Sequence, residues 1–200
     1  MIVRWPAARP AGKKPILLMA HMDVVEANRS DWINDPFKFR EADGYYWARG
    51  ASDNKAGVVA IVSSIARLRE AGFLPTRDII VLFTGDEETT GEGARLAASE
   101  WRELIDAEYA LNIDAGGGDV YKDGRVEGYY LQVAEKTYAD FRLTATNRGG
   151  HSSAPRTDNA IYQLSGALKS LEEYRFTPMI NEASRAYFES IVAKDKGSYG

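Results

Sequence analysis

Cysteine is absent from these 200 residues, so no disulfide and no thiolate metal site can form, and any metal must be held through oxygen and nitrogen. Histidine is scarce as well: the chain has only two, His21 and His151. No apolar run approaches the ~18 residues that a membrane span requires. The opening MIVRWPAARP lacks the apolar centre of a secretory signal. Nor does charge of one sign dominate, since 29 acidic residues stand against 25 basic ones for a net charge of −4. With no basic run to track a phosphate backbone, nucleic acid is excluded as a partner class. What remains is the composition of a soluble globular protein, 44% hydrophobic and 27% charged. It suits a small-molecule or peptide substrate and leaves the compartment open between cytoplasm and periplasm.

Against that background the acidic and histidine residues fall into short segments in a fixed order: AHMDVV (His21, Asp23), RGASDNKAG (Asp53), TGDEETTG (Glu87, Glu88), NIDAGG (Asp114) and RGGHSSAP (His151). Divalent metals of this type need imidazole and carboxylate ligands converging from separate loops, and two metals in one site need a carboxylate that can bridge them. Each segment alone is a common pattern. Their combination, with both histidines inside them, reads as most of a two-zinc hydrolase site.

The local patterns place these segments. Ile16 to Ala20 reads as a buried strand, paired with a leading strand Ile2 to Trp5. After Gly57, the residues Val58, Ile61, Val62, Ile65 and Leu68 recur at helical spacing and predict an amphipathic helix closing near Gly72. Asp78 to Thr84 reads as another buried strand and Tyr109 to Ile113 as a third strand, with a helix over Gly93 to Trp101 between them. This β-α-β-α-β order predicts an α/β fold with a mostly parallel sheet flanked by helices. In such sheets ligands bind beyond the carboxyl ends of the strands. His21, Asp23, Glu87, Glu88 and Asp114 all follow strands. Asp53 instead precedes a helix, where a carboxylate could equally serve as a cap, and both readings stand at this point.

From residue 127 the pattern changes. Tyr129 to Glu135 and Ala139 to Thr146 read as two strands, the second alternating Phe141, Leu143 and Ala145 with polar residues. A helix starting near Asp158 carries Ile161, Leu164, Leu168 and Leu171 on one face, and another covers Ala183 to Val192. The division predicted is a catalytic domain over 1–126 and a smaller α+β domain over 127–200.

The motif series AHMDVV, RGASDNKAG, DEE, NIDAGG and RGGHSSAP resembles the zinc metallopeptidase family that includes aminoacylase, carboxypeptidase S, glutamate carboxypeptidase and succinyl-diaminopimelate desuccinylase. The resemblance spans about residues 16 to 175, and DGYYWARG after Trp32, Pro36 and Phe37 is similar to the carboxypeptidase S and desuccinylase branches. It implies two zinc ions, with cobalt or manganese as substitutes. Asp53 would bridge the metals, His21 and Asp114 would complete the ligands of one, and Glu88 would bind the other. Asp23 would orient His21 from behind. Glu87 would be the general base in hydrolysing an amide or peptide bond of a dipeptide, a C-terminal amino acid or an N-acyl amino acid. The resemblance also implies a cis peptide between Asp53 and Asn54 and a homodimer formed through the second, lid domain. His151 would be a lid histidine that reaches the active site of a second subunit, against the alternative of a loop histidine held by its Gly and Ser neighbours.

One departure from the family pattern is expected to matter. A further histidine ligand and substrate-carboxylate anchors belong downstream, and the sequence reads as a fragment truncated at the C-terminus. The isolated chain is therefore expected to be inactive. Two other readings stand beside this one: an aminopeptidase-like co-catalytic zinc hydrolase with a similar ligand order, and a non-catalytic binding module.

Overall fold

The computed structural model describes residues 1–194. In chain order it begins with β1 (Ile2–Trp5), β2 (Ile16–His21), a short 3-10 turn (Arg29–Asp31), β3 (Arg40–Ala42) and β4 (Tyr45–Trp47). Next come α1 (Lys55–Glu70), β5 (Ile79–Thr84), α2 (Glu92–Ser99), α3 (Arg102–Ile105), β6 (Tyr109–Asn112), β7 (Gly117–Val120) and β8 (Val126–Tyr130). The helices α4 (Ala160–Glu173) and α5 (Glu182–Lys194) follow. The chain divides into two compact units, Met1–Leu131 and the residues from Gln132 onward.

The first unit is organised by β5, whose sequence IIVLFT offers apolar side chains to both faces of a sheet, and every one of its residues is buried. Strand order in the main sheet is β1-β5-β2-β6, with β2 parallel to both β5 and β6. Alternation along β5 splits the core. Ile80 and Leu82 pack with Leu17 and Ala97 on one face, joined by Ile105 and Ala107. Val81 and Phe83 pack with Ala20 and with Ile61, Val58 and Ile65 of α1 on the other. Helices thus cover both faces, as the sequence pattern predicts. Fully burying a side chain such as Ile80 contributes about 1.5–3 kcal/mol.

β1 departs from expectation. It pairs antiparallel with β5, Ile2 opposite Leu82, and not with β2. Both edges of β2 are taken by parallel neighbours, so the only open position beside the inner strands lies on the far side of β5. Arg4 and the backbone N–H of Ala7 fix that strand by donating to the Asp78 carboxylate at 3.0 and 2.8 Å. Two small antiparallel hairpins, β3-β4 and β7-β8, complete this unit.

In the second unit α4 and α5 match the predicted helices closely. The predicted strands do not form as read: β8 ends at Tyr130 within the first unit, and residues 131–159 carry no strand. A lone alternating segment is not a strand until another edge supplies hydrogen bonds. Among the described residues Phe141 has none to pack on and is 88% exposed.

Candidate metal centre

The site grows from the carboxyl ends of the parallel strands. His21 is the last residue of β2, held level with the end of β5 by the His21–Thr84 register and by the Met22 N–H donating to the Thr84 carbonyl at 2.9 Å. Glu87 and Glu88 lie in the turn beyond β5. On the other side of β2, the Ile113 N–H donates to the Met19 carbonyl at 2.9 Å and extends β6 to the residue before Asp114. Asp53 arrives from a different direction, in the turn leading into α1. The peptide between Asp53 and Asn54 is cis.

His21 is the hub. Its side chain is 2% exposed, and Nε2 lies 2.9 Å from Asp53 Oδ1, 3.6 Å from Asp114 Oδ1 and 4.0 Å from Glu87 Oε2. The opposite nitrogen, Nδ1, faces the Asp23 carbonyl oxygen at 3.2 Å and Asp23 Oδ1 at 3.4 Å. An N–H at Nδ1 donating to that carbonyl leaves the Nε2 lone pair directed at the carboxylates of Asp53 and Asp114. A lone pair facing anions is repulsive unless a cation stands between them. The proton is the smallest such cation. Burial works against charge on His21, but Asp114, Asp53, Glu87 and Asp23 outweigh it and hold its pKa above the ordinary 6.5.

A divalent metal fits the same place. One nitrogen of His21 and one oxygen each of Asp53 and Asp114 lie within 4.8 Å of one another, and imidazole with carboxylates is a donor set for zinc. The Glu88 carboxylate is not one of that group. Its backbone N–H instead donates to Asp23 Oδ2 at 2.9 Å. Burial alone would raise the Asp23 pKa, and the backbone N–H groups of Glu88 and Glu87 reverse the effect and lower it. Glu87 moves the other way: burial first, then Asp114, Glu88 and Asp23, raise its pKa against the pull of His21.

Several positioning residues escape the sequence reading. The cap of α1 is Asn54, not Asp53: its Oδ1 accepts from the Gly57 N–H at 3.2 Å, so the Asp53 carboxylate is spared for the site, where its side chain is 64% exposed. Within DEE, Asp86 is structural, accepting from the Gly93 N–H at 2.9 Å and the Thr90 hydroxyl at 2.8 Å at the start of α2. The Lys55 ammonium donates to the Met22 carbonyl at 2.7 Å, tying α1 to the loop after β2. A lysine two residues after the acid, and the helix-start pattern N-x-x-G, are the signals that could have identified these roles. Gly50 is demanded by its left-handed φ of 81° and by Val24, which a Cβ would strike.

His151 belongs to the second unit. Its Nδ1 accepts from the Ser153 backbone N–H at 3.2 Å and pairs with the Ser153 hydroxyl at 2.7 Å. That assignment leaves the proton on Nε2 of an exposed ring.

Residues 17–190 match Peptidase family M20/M25/M40. The chain belongs to this family. Among curated relatives, it is 32% identical over 196 residues to the N-fatty-acyl-amino acid synthase/hydrolase PM20D1.1 of Danio rerio, covering 94% of this chain and 38% of that protein. It is 34% identical over 187 residues to the probable carboxypeptidase S-like 2 of Dictyostelium discoideum, covering 89% of this chain and 35% of that protein. The chain thus spans little more than a third of the length of these relatives. Human carnosine dipeptidase 1 superposes on 60% of this chain and 27% of its own, at 23% identity and a TM-score of 0.49. Membership of a metallopeptidase family agrees with the possible metal group at His21, Asp53 and Asp114. No helix among the described residues is long and apolar enough to cross a membrane.

Proposed function

We propose that this chain carries the metal-binding part of an amidohydrolase that cleaves an amide or peptide bond in a small substrate: a dipeptide, a C-terminal amino acid or an N-acyl amino acid. The observation that carries the reading is the convergence on His21 Nε2 of two carboxylates, Asp53 Oδ1 at 2.9 Å and Asp114 Oδ1 at 3.6 Å, with a third, Glu87 Oε2, at 4.0 Å. His21 and Asp114 would hold one metal, Asp53 would bridge, and Glu88 would serve a second, with zinc the ion that best suits the donors. When bound, such metals polarise the substrate carbonyl and make water a stronger acid.

The rest falls to the chain's own residues. The Glu87 carboxylate makes no hydrogen bond among the described residues, and its raised pKa brings it closer to the strength a base needs near neutral pH. It takes a proton from water as the oxygen attacks the carbonyl carbon, then gives that proton to the amine as the C–N bond breaks. Asp23 keeps the loops carrying His21 and Glu88 joined. The Nε2–H of His151 is suited to donate to the oxyanion, across a homodimer formed through the second unit. Names such as carboxypeptidase and N-fatty-acyl-amino acid hydrolase among relatives support this substrate class.

The test is an amidase assay of the intact enzyme on N-acyl amino acids and dipeptides, before chelation, after chelation and after zinc is returned. Activity lost and restored is the expected result. Activity indifferent to chelation would overturn the reading.

A further inference from the structure

Gly57 lies in the first turn of α1, where a side chain has no room. A Cβ built there would fall 2.2 Å from Asn54 Oδ1 and 2.5 Å from the backbone carbonyl oxygen of Ile113. Its backbone is not left-handed, so space and not conformation excludes a side chain. The two obstructing groups are telling. Asn54 is the residue after Asp53, and Ile113 is the residue before Asp114.

Neither obstruction can yield cheaply. The Ile113 oxygen is backbone, and the Ile113 N–H is bonded to Met19 of β2, the strand that carries His21. Asn54 is 3% exposed and its Oδ1 is engaged by the Gly57 N–H. A methyl group at Gly57 therefore moves either the start of α1, which carries Asp53, or the end of β6, which carries Asp114. In both cases these carboxylates shift relative to each other while His21 stays in the sheet.

We infer that Gly57 is a positioning residue: by letting α1 rest against the Ile113 carbonyl, it sets the separation between the Asp53 and Asp114 carboxylates. The inference builds on the metal-centre reading above. Gly57 touches no reacting group, and alanine is intrinsically the better helix former, so helix propensity alone would favour the substitution.

The experiment compares wild type, Gly57→Ala and Gly166→Ala in the 200-residue chain by cobalt(II) titration, helical circular dichroism and crystallography. Gly166 is the control, since a Cβ there would meet nothing within 4 Å in its helix. Gly57→Ala is expected to keep the helical spectrum, to alter the Asp53–Asp114 separation and to weaken cobalt binding about ten- to a hundredfold, the range for lost support of a metal ligand. Gly166→Ala should match wild type in all three. An unchanged carboxylate separation, or wild-type cobalt affinity in Gly57→Ala, would overturn the inference. Should Gly57→Ala not accumulate folded, the double variant with Asn54→Ala removes the side-chain obstruction and leaves only the Ile113 carbonyl. Its cobalt affinity is expected to remain weak, and full recovery would overturn the role of Ile113. A wild-type chain that takes up no cobalt would instead remove the metal reading, and the crystallographic separation would still decide the role of Gly57.

Discussion

The backbone N–H of Glu88 donates to Oδ2 of Asp23 across 2.9 Å, joining the loop after β2 to the loop after β5. The same aspartate presents its backbone carbonyl to His21 Nδ1. One residue therefore does two things through two different groups. Asp23→Ala should leave the imidazole tautomer in place, because its partner is the main chain. It should nonetheless weaken cobalt(II) binding about ten- to a hundredfold, because the Glu87–Glu88 turn loses its tether. Cobalt titration checks this, and unchanged affinity would mean that the tether is ornamental.

Glu87→Gln separates chemistry from binding. The amide keeps the size and removes the base, so turnover of the intact enzyme should fall about a hundred- to ten-thousandfold with zinc content unchanged. Steady-state kinetics and metal analysis on one sample decide it. Near-normal kcat would take Glu87 out of the mechanism.

The carboxylates around His21 give the metal-free chain a pH signature. Because the folded pKa of His21 is raised above 6.5, its contribution to stability is complete below that value and is lost as pH rises through the folded pKa. The raised pKa of Glu87 acts with the same sign at its own, more acidic window. Chelated protein should therefore melt at progressively lower temperature as pH is raised from 6.5. Metal affinity should run the opposite way, since binding displaces the His21 proton. Calorimetry across the range tests both slopes, and a flat Tm would contradict the electrostatic picture.

Ile80 and Asp86 probe the scaffold. Ile80 is 0% exposed at the middle of β5, so Ile80→Ala should cost about 2–5 kcal/mol in denaturant unfolding. Asp86→Ala should lower Tm by freeing the start of α2, yet leave cobalt affinity at the wild-type level. A loss of metal binding in Asp86→Ala at intact secondary structure would mean that the acidic turn does not divide its labour as described.

Much of this was legible in the sequence. The strands β2, β5 and β6 and the helices α1, α4 and α5 lie within a few residues of where apolar periodicity puts them, with the clearest patterns in β5 and α1. The meeting of His21 and Asp114 was legible from their places at strand ends, whereas Asp53, at a helix start, could equally be a cap and reads as a ligand only through the family resemblance. The Glu88 carboxylate expected beside them is not part of the group. What escaped depends on contacts between distant segments. No local pattern says that β1 must go to β5, since that follows from both sides of β2 being occupied. The β3-β4 hairpin is only three residues a side, too short for periodicity to show. Phe141, Leu143 and Ala145 alternate as a strand would, but alternation states a preference for an edge and cannot provide one. Gly57 read as a helix boundary, and its contact with Ile113 exists only in three dimensions.

The most direct measurement is anomalous diffraction at the zinc edge from crystals of the 200-residue chain grown with saturating zinc. The expected peak lies among His21 Nε2, Asp53 and Asp114, at bonding distances of about 2.0–2.2 Å. Saturated crystals with no peak there, or with zinc held elsewhere and His21 still bonded to Asp53, would contradict the metal centre.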